Sequence, residues 1–418
     1  MKLLLIGCGC VGKCFLELLS IEKIKVEVLI IIEPKNIPNW IYKLYPNLIY
    51  IKKAITNRNM YNTLKPILKF YKPFVVDVSV NTDSLKIIYY CSKIFKCNYI
   101  NTSIENYEIK NPEVLDSTQK GLYKRSLMSQ AIKLKKLYGK SKTTALVLAG
   151  ENPGMCSYMA LKGLCDYTKK YGNDHQLRLL NTKNYNLLAQ SLALNTIHIS
   201  EIDTQTPKKE RPENHFWNTW SVVGMYSEAR DPVQISDKIF PIRGVDVIVP
   251  SICIGYKGNQ IEFEGRAIPH AEAYTLSNFL STKEYMPDVF YVYKPSDMCN
   301  DSLDMFCRNG YKNIPEELCY VLEQKDIRNG WDSVGCYLQF NNGKKWWCGS
   351  VLSLNDVKKL GFKHSGSTPV QVAINLLYSI KYILKHKQIG LITPENIDYE
   401  MHLKMSKKYL GKVYSVEL

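Results

Sequence analysis

The sequence predicts an α/β protein: an N-terminal domain on a parallel sheet, then a second domain of α+β type. Three observations predict it. Short apolar runs alternate with helical patterns through the first 150 residues, as βαβ units require. A glycine-rich turn follows the first of these runs directly. After about residue 155 the texture changes to short β-like runs separated by turn signals.

Residues 2–7 are almost uniformly apolar, as in a strand buried on both faces. Residues 7–12 form the turn and 13–20 a helix. Strands are predicted at 26–32, 75–80, 98–102 and 144–148, with a helix over 84–95. The stretch 107–140 is polar and lysine-rich with helical patterns. A helix is expected from Cys156, and β-like runs at 192–199, 247–254 and 260–263. Residues 297–310 read as a loop. Residues 369–385 form a long apolar helix, predicted to return and pack on the first domain. The expected parts are 1–150, 151–365 and a C-terminal helical segment, 366–418.

Gly7-Cys8-Gly9-Cys10-Val11-Gly12 matches G-x-G-x-x-G between a strand and a helix, which predicts a Rossmann domain. Gly7 permits the tight turn, Gly9 lets a pyrophosphate approach the backbone, and Gly12 lets the helix pack on the strand. The helix N-terminus then faces the phosphates with unpaired amides, including those of Cys10 and Val11. Glu33 ends the next strand 21 residues after Gly12, where a carboxylate accepts from the adenosine ribose hydroxyls. It also repels a 2′-phosphate, which favours NAD over NADP, although Lys35 nearby is a candidate to serve such a phosphate.

The 418-residue chain has a formal charge of +16. Its lysines are scattered, which favours a solvated basic surface over a nucleic-acid site. No run of about 18 apolar residues suggests a membrane span. The opening run is too short for a signal peptide, so a cytoplasmic protein is expected. The thirteen cysteines show no metal-binding spacing and read as reduced, mostly buried thiols; no metal is expected.

Three polar clusters mark the second half: 198–205, 216–228 and 268–273. Glu201 and Glu228 flank the aromatic run holding Trp217 and Trp220, and His270 follows a proline. Carboxylates with an indole face suit a cation. Each residue also has an ordinary reading: core tryptophans, surface acids, a structural histidine. The residues by themselves point to an NAD enzyme acting on an amine.

At these motifs the sequence resembles the bacterial homospermidine synthases, of the saccharopine dehydrogenase-like superfamily. The resemblance runs through 7–12, 77–84, 151–155, 197–205, 218–222 and 268–273, and is most specific at Asn218-Thr219-Trp220-Ser221. It implies that the α+β domain binds substrate and forms a homodimer. It implies that putrescine and other polyamines are the partners. Two putrescines (or spermidine plus putrescine) would be joined into homospermidine, releasing ammonia (or diaminopropane), with NAD as a recycled hydride carrier. Trp220, Glu201, Glu228, Asn152 and His270 are implied as the catalytic set, and Asn81, Glu105 and Glu272 as substrate-binding. Ser79, Asn81, Thr102, Asn152 and Pro153 are implied at the cofactor, besides the glycine turn and Glu33. The alternatives are a saccharopine- or carboxyspermidine-type dehydrogenase with net NAD(P)H consumption, a non-catalytic NAD-binding regulator, and a basic nucleic-acid-binding protein.

Overall fold

The computed structural model describes residues 1–80, 82–105, 131–134, 136, 142–386 and 390–418. Asn81 and most of the predicted helical stretch 107–140 lie outside the described residues.

Two seven-stranded sheets form the frame. The chain opens with β1 (Lys2–Ile6), β2 (Val28–Ile32), β3 (Ile49–Ile51), β4 (Phe74–Asp77), β5 (Tyr99–Asn101) and β6 (Thr144–Leu146). It then builds β7 (Leu194–Asp203), β8 (Ile248–Ile254), β9 (Gln260–Arg266), β10 (Asp288–Lys294), β11 (Trp331–Phe340) and β12 (Lys345–Ser353). It ends with β13 (Gly390–Ile392) and β14 (Lys412–Glu417). Five helices matter for the site: α1 (Cys10–Ile21), α2 (Met155–Tyr171), α3 (Val222–Arg230), α4 (Ala271–Leu280) and α5 (Ser367–Lys385).

The first sheet has the order β13-β6-β5-β4-β1-β2-β3, and its pairings are parallel. Leu3, Leu4 and Leu5 of β1, like Val75 and Val76 of β4, are buried, which accounts for the unbroken apolar runs. The strand order reverses between β1 and β4, so a crevice opens beyond their carboxyl ends. The helix predicted over 84–95 begins as an α-helix, Ser84–Tyr89, and continues as a π-helical stretch, Tyr90–Phe95.

The second sheet is mixed, in the order β8-β9-β10-β7-β11-β12-β14. On β7, alternation sends Ile197, Ile199 and Glu201 to one face and His198, Ser200 and Ile202 to the other. β10 runs parallel to β7 with Tyr293 opposite Glu201, and β11 runs antiparallel with Asp332 opposite Asp203. The register therefore brings acids and tyrosines together on one face.

The segment 366–418 is divided between the sheets. α5 packs along α1, and β13 extends the parallel sheet beside β6. β14 instead pairs with β12 at the edge of the mixed sheet, where the Trp346 indole donates to Ser415 Oγ at 2.9 Å. The segment read as a loop at 297–310 is a helix over Asp297–Arg308. Met298, Cys299, Ser302, Leu303, Met305 and Phe306 form its buried face, an amphipathic helical spacing that the sequence carries.

All thirteen cysteines are free thiols, ten of them buried. Among the described residues no group of acids, cysteines and histidines has the arrangement of a metal site, and no helix is long and apolar enough to cross a membrane.

Candidate active site

A cavity of about 1150 Å³ fills the crevice between the sheets. One end is built by the loops after β1, β2, β4, β5 and β6, which contribute Gly7, Gly9, Cys10, Val11, Glu33, Ser79, Thr102, Asn152 and Pro153 to its wall. Gly7 has φ +86°, and a Cβ there would meet the backbone of Ser79 at 2.9 Å. A Cβ on Gly12 would meet the Gly7 carbonyl at 2.6 Å, so Gly12 stays behind the wall and lets α1 seat against the turn. A Cβ on Gly9 would meet nothing within 4 Å, so this backbone faces open space. The Glu33 carboxylate accepts from the amides of Cys8 at 2.7 Å and Lys35 at 3.0 Å, which fixes it beside the turn. An open glycine backbone, a helix N-terminus and a fixed carboxylate are what a dinucleotide needs, so the residues fit one. Ser79 serves more to shape the site: its hydroxyl donates to Asp77 at 2.6 Å, and burial raises the Asp77 carboxyl to about 6.

The deep end joins side chains from both halves of the chain. His270 precedes α4, Glu228 lies on α3, and Asn152 sits in the turn after β6, next to the cis bond to Pro153. His270 Nδ1 is 2.7 Å from Asn152 Oδ1, and Asn152 Nδ2 donates to Glu201 Oε2 at 3.1 Å. Tyr291 donates to the same Glu201 oxygen at 2.9 Å. His270 Nε2 lies 3.4 Å from Glu228 Oε2. The His270 ring stacks on Tyr291 at 4.5 Å, and Tyr291 on Tyr293 at 5.5 Å.

Because the Asn152 amide donates to Glu201, its oxygen is left to accept from His270 Nδ1–H. Nε2 is then the ring nitrogen left toward Glu228 and the cavity.

Trp220 stands in the wall, and its indole donates to Tyr293 Oη at 3.2 Å. A Cβ on Gly224 would meet the ring at 2.9 Å, so α3 needs a glycine where the indole crosses it. Trp217 points elsewhere, packing with Met298, Leu322, Ile327 and Leu354. Glu105 is in the wall, tied at its amide to Ser84 Oγ at 2.9 Å and at its carboxylate to Ser103 Oγ at 3.1 Å.

Glu272 does not reach the cavity. It lies one residue into α4, facing away from His270, and accepts from the amide and hydroxyl of Ser157 at 2.7 and 2.6 Å. The Ser157 hydroxyl is also 2.9 Å from Glu395, and its single proton cannot serve both acids. Burial raises the Glu272 carboxyl to about 7.

Two acids that the sequence did not single out complete the deep wall. Glu151 is buried, and neither of its oxygens has a hydrogen bond; the Ser350 hydroxyl eases it from outside hydrogen-bond geometry. Asp332 is buried with Oδ1 unpaired and Oδ2 held by Thr368 at 2.5 Å. Burial, then repulsion from Glu201, holds both carboxyls well above the ordinary range. Burial raises Glu201 to about 7. Glu151 adjoins Asn152 in a motif the sequence did mark, which was the available signal; Asp332 lies in an apolar run and gave none.

Comparison with known proteins agrees with this architecture. The family model of the saccharopine dehydrogenase NADP binding domain matches residues 3–146. A homospermidine synthase of Mesorhizobium japonicum is 26% identical, over 98% of this chain and 88% of that protein. One from Blastochloris viridis is 24% identical, over 99% and 90%. The crystal structure of Legionella pneumophila homospermidine synthase in complex with NAD superimposes with a TM-score of 0.83 at 24% identity, over 100% of this chain and 91% of that one. Apo saccharopine dehydrogenase (L-Glu forming) from Saccharomyces cerevisiae shares the fold at a TM-score of 0.59 and 12% identity, over 100% and 99% of the two chains. Over nearly its whole length the chain is similar in sequence to these homospermidine synthases, and it shares the fold of the Legionella pneumophila structure.

Proposed function

We propose that this chain is a homospermidine synthase that joins two putrescines, or spermidine and putrescine, with NAD as a recycled cofactor. One observation carries the reading beyond kinship. The dinucleotide crevice ends in buried carboxylates with unused acceptor oxygens, Glu151 and Asp332, beside Glu201 and the Trp220 ring. A buried acid without a partner is costly, and an ammonium group relieves that cost. The basic wall residues lie elsewhere among the described residues. Lys35 and Lys53 follow β2 and β3 at the adenosine end, and Arg230 donates to the Tyr311 carbonyl at 2.9 Å. Among the described residues the wall's one arginine is thus engaged with that carbonyl, and a carboxylate-bearing partner, as a saccharopine-type reaction needs, is poorly served.

When bound, NAD supplies a reversible hydride acceptor for the carbon beside one substrate amine. The residues do the rest. Glu151, Asp332 and Glu201 hold the distant ammonium of the inner diamine. His270 Nε2, with Glu228 behind it, takes the proton that an amine must lose before it can react. Trp220 faces the substrate iminium and stabilises its spread charge without a covalent bond. Glu105, in the cavity wall, takes the ammonium of the second amine, with Asn81 as a second polar group for it. Residues 1–150 serve as the NAD-binding part, 151–365 as the substrate and dimer part, and 366–418 as the segment that ties them together. The working unit is a homodimer.

Mass spectrometry of products, with absorbance followed at the reduced-nicotinamide band, tests the reading. Homospermidine and ammonia without lasting NADH are expected from putrescine and NAD. Stoichiometric NADH, or no coupled polyamine, would point to a net dehydrogenase.

A further inference from the structure

Lys35 looks suited to an NADP-type 2′-phosphate, since it follows Glu33 by two residues and stands in the same wall. Its backbone is fixed. Its amide donates to Glu33 Oε1 at 3.0 Å, and Tyr50 Oη donates to its carbonyl at 2.6 Å. Its ammonium forms an ion pair with Glu316, another residue of the cavity wall, both side chains being largely exposed.

Glu316 is itself well anchored. It opens the 3-10 turn Glu316–Leu318, which leads into the strand Cys319–Val321. That strand pairs in parallel with Phe216–Asn218, the residues just before Trp220. The same segment sends Glu323 to Lys13 on α1 at 2.7 Å. A single acidic segment thus neutralises two lysines of the dinucleotide domain.

We propose that Glu316 is a specificity-determining residue for the cofactor, holding the Lys35 ammonium away from the position of a 2′-phosphate. Glu33 supplies repulsion there, and Glu316 removes the nearby attraction. The inference rests on the NAD reading above. It explains how a domain whose family model is described as NADP-binding can prefer NAD while keeping a lysine beside the ribose site.

The test is binding of NADH and NADPH by nicotinamide fluorescence, without any polyamine, to wild type, E316Q, K35Q and K35Q/E316Q. Wild type is expected to bind NADH more tightly. E316Q is expected to shift the ratio about fivefold toward NADPH through a gain in NADPH binding that added salt erodes. K35Q and the double variant are expected to keep the wild-type ratio. An unmoved ratio in E316Q overturns the proposal while NADH binding leaves the dinucleotide reading intact. An undiminished gain in the double variant also overturns it and assigns the phosphate to Lys53, which makes no ion pair among the described residues. Binding of neither nucleotide overturns both readings.

Discussion

Trp220 and Glu151 show how a single side chain acts at this site. A cation–π contact to a desolvated cation is worth roughly 2 kcal/mol, or about 30-fold in rate when felt mainly in the transition state. Trp220→Ala is therefore expected to lose at least about 30-fold in kcat while NADH fluorescence titration shows unchanged binding. Trp220→Phe should recover part of the loss, and normal turnover in the alanine variant would remove the indole from the mechanism. Glu151→Gln tests a different physics. The amide keeps the shape and removes the charge, so putrescine KM is expected to rise about tenfold or more. Thermal stability should hold, because the carboxyl is already held well above the ordinary range by its burial. An unchanged KM would place the inner ammonium elsewhere.

At the scale of elements, the site depends on how α5 meets the turn after β6. Asn375 of α5 donates to the Gly150 carbonyl at 2.5 Å, and the same turn carries Glu151, Asn152 and Pro153. Asn375→Leu removes one of that carbonyl's two donors, the Met155 amide at 3.0 Å remaining, at a cost of about 0.5–1.5 kcal/mol. It should also disturb Asn152, and through it the His270–Asn152–Glu201 chain. Calorimetry is expected to show the lost stability and assays a lower kcat. A normal kcat at reduced stability would mean that the turn holds its shape without α5. The length and apolar face of α5 were legible in the sequence. Its partner was not, because an asparagine inside a helix carries no mark of the carbonyl it will reach.

The buried acids make the whole molecule sensitive to pH. Glu201 and Glu272 are both raised by burial to about 7. The folded state thus holds protons that the unfolded chain, with glutamate near ~4.3, has already released. Stability must fall as pH climbs from about 5 toward 7, then level off, by up to ~3 kcal/mol per carboxyl. Glu22, lowered to about 2 largely through Lys381 and Tyr409, acts in the opposite sense and only at more acid pH. Denaturant unfolding from about pH 5.5 to 8.5 is expected to show this decline. Putrescine should flatten it, since an ammonium replaces the protons in the deep pocket while Glu272 keeps its own dependence. A stability that rises through neutrality would mean that the acids ionise freely in the folded protein.

The strands β1, β2, β4, β5 and β6, the glycine turn and Glu33 followed from the sequence itself, because they depend on local patterns, whereas β3 and the helix Met60–Tyr71 were not read from it. Apolar runs, helical periodicity and a G-x-G-x-x-G turn are each complete within a few residues. The wall residues Glu201, Trp220, Glu228 and His270 were legible as polar clusters, and their kinship gave them a role. Tertiary structure decided what they touch. The register of β7 against β10 and β11 brought Tyr291, Tyr293 and Asp332 to Glu201 from positions far apart in the chain. Glu272, next but one to His270, was turned the other way by the start of α4 and given to Ser157. Long-range pairing selects among side chains that look alike in sequence, since burial and hydrogen-bond partners exist only once distant segments have met.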